Sequence, residues 1–301
     1  MIEKEDLLIP SSDKIHTLKG SLWFPSAEPK GILQVVHGMT DYTDRYEAIL
    51  RAVAEAGFVA FGVDLLGHGR TAEGPEEFGF FGKGGHRLLV QDVIGAAEEV
   101  KKRFGETLPF CLMGHSMGSF VARCAVAEGF LPDSLILVGT SGHNPAAPLG
   151  VILSDLIALC KGPHHVSPLM HRLIFADYDD RFPGDYPKRW ISVDTENLVR
   201  YKDDPFCTFS FTVSALGDLI RLNQRAGSRS FYQNAKGTRT LLLSGEMDPV
   251  GDFGKGVREV FCKLQKNGAE ARLRLFPDFR HEILQDFCKE ECIEEILNFI
   301  R

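Results

Sequence analysis

The chain has 301 residues, 44% of them hydrophobic and 25% charged, with a formal net charge of −7. That size and mix describe a globular protein with a large core, built as one α/β domain or two small ones. The acidic balance, without any run of Lys or Arg, argues against a nucleic-acid partner.

The charged start, Met1-Ile2-Glu3-Lys4-Glu5-Asp6, carries no signal-peptide core, and no apolar run is long enough to span a bilayer. The stretch Ile15 to Phe24, between Pro10 and Pro25, reads as a hairpin of two short strands. Gly31 to Val36 is a nearly continuous apolar run, the pattern of a strand covered on both faces. Asp44 to Ala56 reads as a helix. Asp44 and Glu47 form a capping-box-like pair, Tyr46, Ile49, Leu50 and Val53 share a face, and Gly57 ends it. Strand Phe58 to Val63 follows, then helix Arg87 to Phe104, stopped by Gly105. An apolar strand from Phe110 enters Gly114-His115-Ser116-Met117-Gly118 and an amphipathic helix, and strand Ser134 to Val138 comes next. The alternation resumes with strand Arg239 to Leu243, helix Asp252 to Asn267, strand Arg272 to Phe276 and helix Glu282 to Ile300. Strands alternating with helices of this length imply a parallel sheet with helices on both faces.

About a hundred residues separate Gly139 from Arg239, far more than a crossover needs. Within them, Leu149, Ile152, Leu153, Leu156 and Ile157 mark an amphipathic helix, and the chain rejoins the core near Phe211. Residues 1–143 and 211–301 are therefore expected to form the core, with 144–210 as a cap over the strand ends, where ligands bind in such sheets.

Gly-x-Ser-x-Gly between a strand and a helix is the pattern of a nucleophile turn. Gly114 and Gly118 remove side chains that would strike the neighbouring backbone, and Ser116 is pushed into the open. A serine hydroxyl is a weak nucleophile at neutral pH. It needs a base, and the base needs an orienting acid. Asp248, in the turn after strand Arg239 to Leu243, is the expected acid, with Glu246 as its competitor. His281, in the loop after the last predicted strand, is the expected base. The backbone N–H groups of Met39 and Met117 are the expected oxyanion donors, Met39 sitting just after the strand that ends at Val36. His37 and His68 are expected to brace loops.

The segments His37-Gly38-Met39, Asp64-Leu65-Leu66-Gly67-His68-Gly69, Gly114-His115-Ser116-Met117-Gly118, Gly245-Glu246-Met247-Asp248-Pro249-Val250 and Arg280-His281-Glu282 resemble the α/β-hydrolases grouped with lysophospholipases, monoacylglycerol lipases and serine aminopeptidase-like enzymes. The resemblance extends into the cap, at Phe175 to Phe182, Trp190-Ile191-Ser192 and Asp204-Pro205-Phe206. It implies the α/β-hydrolase fold, a mostly parallel eight-stranded sheet with helices on both faces and a helical cap insertion. It also implies Ser116, Asp248 and His281 as a triad, with Met39 and Met117 as oxyanion donors. No cofactor and no metal is needed for this chemistry.

The expected partner is a small acyl ester: a monoacylglycerol, a lysophospholipid or a short-chain ester. The 22 phenylalanines, including the cluster Phe78, Phe80 and Phe81, offer either apolar walls for an acyl chain or packing between cap and core. Two other readings stand beside esterase. An aminopeptidase would need an acidic anchor for the substrate amine, for which Asp177, Asp179 and Asp180 are candidates. A non-catalytic binding protein on the same scaffold is the third. His164, His165 and His171 with Asp177 match no familiar metal-ligand spacing. Cys288 and Cys292, four apart, read as half-buried thiols. The seven scattered cysteines suggest a reducing cytoplasm, and the cap helix suggests transient contact with a membrane surface.

Overall fold

The first two strands, β1 (Ile2–Pro10) and β2 (Thr17–Pro25), pair antiparallel from Ile2 opposite Pro25 to Pro10 opposite Thr17. This corrects the expected hairpin within 15–24, which is one strand. Its partner escaped notice because β1 lies at the sheet edge and is largely exposed, so its charged residues carry no core-facing alternation. A computed structural model describes residues 1–175 and 178–301.

The sheet continues with β3 (Ile32–Val36), β4 (Val59–Val63), β5 (Phe110–His115), β6 (Ser134–Val138), β7 (Arg239–Gly245) and β8 (Ala271–Phe276). Its spatial order is β1-β2-β4-β3-β5-β6-β7-β8. β2 meets β4 antiparallel, and every later pairing is parallel. This is the α/β-hydrolase fold. The chain moves from β3 to β4 on one side and then to β5 on the other. The carboxyl ends of β3 and β5 therefore lie side by side at the switch point, where such sheets bind ligands.

Both faces of the sheet are covered, which explains the unbroken apolar runs. Along β5, Phe110 and Leu112 join one core, while Cys111 and Met113 join the other. Helix α1 (Glu47–Glu55) packs on the second face. The first face carries α2 (Gly85–Phe104) and α3 (Met117–Ala127).

Between β6 and β7 the chain forms α4 (Ala147–Lys161), α5 (Pro168–Phe175), α6 (Thr195–Asp203), α7 (Val213–Ala226) and α8 (Arg229–Asn234), with 3-10 turns at Asp179–Arg181 and Arg189–Ile191. α4 lies against α7 and buries Ser154, while Leu149, Ile152, Leu156 and Leu159 face outward. Last come α9 (Lys255–Lys266), on the first face, and α10 (Lys289–Ile300), which joins α1 on the second.

Four helix starts differ from expectation. α2 begins at Gly85, two residues ahead of Arg87; the other three move for local reasons. The helix predicted from Asp44 opens as a 3-10 turn, Thr43–Tyr46, and becomes α-helical at Glu47. Asp44 caps nothing; its carboxylate accepts a hydrogen bond from Ser21 Oγ at 2.7 Å. The helix predicted from Asp252 begins at Lys255, because Asp252, Phe253 and Gly254 all have left-handed φ angles (50°, 52° and 81°). The helix predicted from Glu282 begins at Lys289. In the intervening turn, Glu282 N–H donates to Ile191 O and the Asp286 carboxylate accepts from Ser192 Oγ and Val193 N–H. These tertiary bonds take the place of a first helical turn.

Candidate active site

Ser116 sits where β5 turns into α3, at φ 52° and ψ −121°. That conformation costs a non-glycine residue on the order of 1–3 kcal/mol and persists only where the surroundings enforce it. Here Ser116 N–H donates to Val138 O at 2.9 Å, and Ser119 N–H and Oγ both hold Ser116 O, at 2.9 and 2.6 Å. The flanking glycines are sterically required. A Cβ on Gly114 would lie 2.3 Å from Gly118 O, and one on Gly118 would lie 2.1 Å from Val36 O. Both obstacles are backbone. Gly118→Ala is therefore expected to cost about 1–3 kcal/mol of stability and to displace Ser116. A thermal scan beside an activity assay checks this; an unchanged midpoint with full activity would count against the close-approach argument.

His281 is buried in the loop after β8, and Asp248 is buried in the turn after β7. His281 Nδ1–H donates to Asp248 Oδ2 at 2.8 Å, which fixes the tautomer and leaves Nε2 as the acceptor. Asp248 is held in turn by Val250 N–H at 2.9 Å and Ser244 Oγ at 3.5 Å. Glu246, the competing acid, instead points toward Arg258 at 3.7 Å on the surface. Burial opposes charge on His281, but the Asp248 carboxylate outweighs it and raises the imidazole above its ordinary 6.5. Ser116 and His281 line one cavity of about 1010 Å³, together with Met39, Met117 and Asp41. Gly139, at φ 57°, allows the end of β6 to pass the imidazole; a Cβ there would lie 3.1 Å from His281 Cε1.

Met117 opens α3, so its N–H has no intrahelical acceptor. Among the described residues, neither it nor the Met39 N–H is given to a carbonyl or a side chain. His37 and His68 are loop braces. His37 Nδ1–H donates to Gly38 O at 2.8 Å, and Nε2 accepts from Leu65 N–H at 2.9 Å. His68 Nδ1–H donates to Leu66 O at 3.0 Å, and its ring stacks on Phe81.

A buried polar cluster around Glu282, next to the imidazole, has no counterpart in the sequence patterns. Arg45 grips Glu282 with two bonds, at 2.9 and 2.8 Å, and also reaches Asp41 at 3.1 Å. Glu282 accepts a further bond from Asn197 Nδ2 at 2.8 Å. Burial works against the charge on Asp41 and Glu282, yet the Arg45 guanidinium holds both carboxyls below their ordinary values. The Tyr46 hydroxyl bridges Asp41 Oδ2 at 2.6 Å and His115 Nδ1 at 2.8 Å. Trp190 lies on His281, with ring centroids 5.2 Å apart.

Phe78, Phe80 and Phe81 pack against Phe209, His164 and Phe211 and do not line the cavity; Phe120, Phe175 and Phe209 do. Asp179 lines the cavity, but its two oxygens accept the N–H groups of Lys188 (2.8 Å) and Trp190 (3.3 Å). Asp180 is exposed, and Asp177 lies outside the described residues. His171 Nε2–H donates to Phe211 O at 3.3 Å. The thiols of Cys288 and Cys292 are buried and both reach Ile283 O. No helix among the described residues is long and apolar enough to cross a membrane.

Residues 27–287 match the family described as serine aminopeptidase, S33. The chain belongs to that family. This S33-family chain is a serine hydrolase of the esterase and monoacylglycerol lipase type. It is 22% identical over 291 residues to a monoacylglycerol lipase of Mycolicibacterium smegmatis, covering 93% of this chain and 91% of that protein. A carboxyl esterase from Bacillus coagulans, solved with glycerol, superposes with a TM-score of 0.92 at 28% identity, covering 99% of this chain and 97% of that one. A lipase solved in an open form gives the same TM-score of 0.92 at 24% identity, over 99% of this chain and 98% of the other.

Proposed function

We propose that this S33-family hydrolase cleaves carboxylic acyl esters through an acyl-enzyme on Ser116. The observation that carries this reading is the Asp248–His281 hydrogen bond beside a cavity that Ser116 also lines, with Nε2 left to act as base. Ser116 Oγ attacks the ester carbonyl while His281 Nε2 takes its proton. Asp248 keeps the imidazole in the required tautomer and stabilises the imidazolium. The Met39 and Met117 N–H groups receive the developing oxyanion, a donor pair of the kind whose members each contribute about 10²–10³ in rate. His281 then protonates the departing alcohol. Water attacks the acyl-enzyme with His281 again as base, and the acid is released.

Residues 144–210 act as the cap in this reading. Their apolar side chains, Leu149, Leu153, Leu173 and Ile174, with Leu219 and Ile220 of α7, suit an acyl chain. Leu149 and Leu173 line the cavity and are also exposed, so part of its rim is apolar and fits an ester presented from a lipid aggregate. Monoacylglycerols, lysophospholipids and shorter esters share this chemistry. The unpaired state of all seven cysteines supports action in a reducing cytoplasm.

Peptide hydrolysis is the second reading, favoured by the family description. Against it, Asp179 is already engaged by two backbone N–H groups and Asp180 faces solvent. An aryl ester and an aminoacyl anilide, assayed on one preparation, separate the two. We expect the ester to be cleaved at least about tenfold faster, a gap of ~1.4 kcal/mol in barrier; faster anilide cleavage reverses the order. A fluorophosphonate probe should label Ser116, and a pure binding protein would stay unlabelled.

A further inference from the structure

The cavity holds a cation that the chemistry above does not use. Lys188, just before the 3-10 turn Arg189–Ile191, is held at a left-handed φ of 59° with its backbone N–H on Asp179. Its side chain lines the cavity and lies over the Tyr201 ring, 4.4 Å from the centroid. Its one hydrogen-bond acceptor among the described residues is the Tyr201 hydroxyl, at 3.3 Å. That phenol is itself paired with Thr40 and, by burial, is held well above its ordinary pKa, so it stays neutral. Among the described residues no carboxylate oxygen comes within 4.0 Å of Lys188 Nζ. The acids that face it have their own donors: Glu282 has Arg45 and Asn197, Asp41 has Arg45 and Tyr46, and Asp179 has two backbone N–H groups. An ammonium has three donors, and a mostly buried one is costly unless it is paired.

The position says which half of the substrate it meets. Lys188 stands two residues before Trp190, whose ring lies on His281, and shares the Tyr201 hydroxyl with Thr40, which follows Met39. His281 protonates the departing alcohol, so the alcohol half of an ester rests at this end. The apolar side chains of α4 and α7 that line the same cavity are left for the acyl half.

We propose that Lys188 is the head-group subsite for an anionic group, phosphate or carboxylate, on the alcohol half of the ester. This rests on the ester reading above and narrows it: substrates of the lysophosphatidate type are preferred over neutral glycerides of equal acyl length. The ammonium donates to the anion, and the desolvated cavity strengthens the contact.

The test is binding of non-hydrolysable ethers to the intact protein by calorimetry. The probes are hexyl glycerol ether, its 3-phosphate, and the hexyl ether of glyceric acid. Wild type should bind the two anions about tenfold or more tightly than the neutral ether. Lys188→Met should lose that preference and Lys188→Arg should keep it, with thermal scans showing that both variants are folded. A larger gain for the phosphate than for the carboxylate identifies the phosphate ester as the substrate class; the reverse identifies the carboxylate. Equal affinity for all three ethers in wild type, no binding of any, or a preference that survives in Lys188→Met overturns the subsite. Labelling of Ser116 by the fluorophosphonate reads the ester mechanism separately, so either idea can fail while the other stands.

Discussion

Ser116→Ala lowers ester turnover by about 10⁶-fold while leaving the fold and the cavity in place. The expectation follows from the geometry of the turn. The hydroxyl is the group that the strained backbone presents to the cavity, and alanine removes it with little change in volume. The His281–Asp248 pair remains in the variant, but it has no oxygen to deprotonate, and water in the same place is neither fixed nor aligned for attack. On the proposed mechanism, what survives is the contribution of the Met39 and Met117 N–H groups and of substrate binding. Steady-state kinetics on a p-nitrophenyl ester measures the loss, with a thermal scan to show that the protein is intact. A purified variant that retains near-normal turnover rules out the acyl-enzyme on this serine.

Asp248→Asn has the second largest effect, about 10⁴-fold in kcat, together with a displaced pH profile. Asparagine fills the same space but can turn its amide N–H₂ toward Nδ1. The imidazole then carries its proton on Nε2 and cannot accept one from Ser116. The pH shift has a definite sign. His281 must be neutral to act as base, so kcat/KM falls as pH drops through its pKa. In the native protein Asp248 raises that pKa despite burial, and the acid limb should lie above 6.5. Without the carboxylate, burial acts unopposed and the residual activity should show its limb at lower pH. A limb that does not move, or moves upward, means that Asp248 is not the group that sets the charge of the base.

The parts of this design that are local in the chain were legible in the sequence. The turn at Ser116 demands glycine at 114 and 118 because each would otherwise meet backbone, and those demands lie within four residues. Asp248 and His281 were singled out because parallel strands deliver loops to one edge of the sheet, so the ends of β7 and β8 limited the choice, and the two side chains meet there in a hydrogen bond. The limits of the sequence were set by tertiary contact. Arg45 and Glu282 are 237 positions apart, and nothing in either neighbourhood names the other. Lys188 and Trp190 lie in a stretch without period, where no pattern indicates which side chain faces the cavity. The same cause misplaced the start of α10: the residues after His281 have helical composition, but their hydrogen bonds go to Ile191, Ser192 and Val193. β1 was missed for the opposite reason, since an exposed edge strand has little core to report.

Those last bonds have a consequence for traffic through the molecule. Arg280 holds the carbonyls of Arg189 and Ser192, Glu282 holds Ile191 and Asn197, and Asp286 holds Ser192 and Val193. Residues 189–197 are thus laced to the loop that carries the imidazole and cannot lift without dragging it out of register. On the proposed ester reading, an opening for long acyl chains is expected instead at α4 and α5, where Leu149, Leu156, Leu159, Leu169 and Leu173 are exposed and, among the described residues, no hydrogen bond ties either helix to the loop from Arg280 to Asp286.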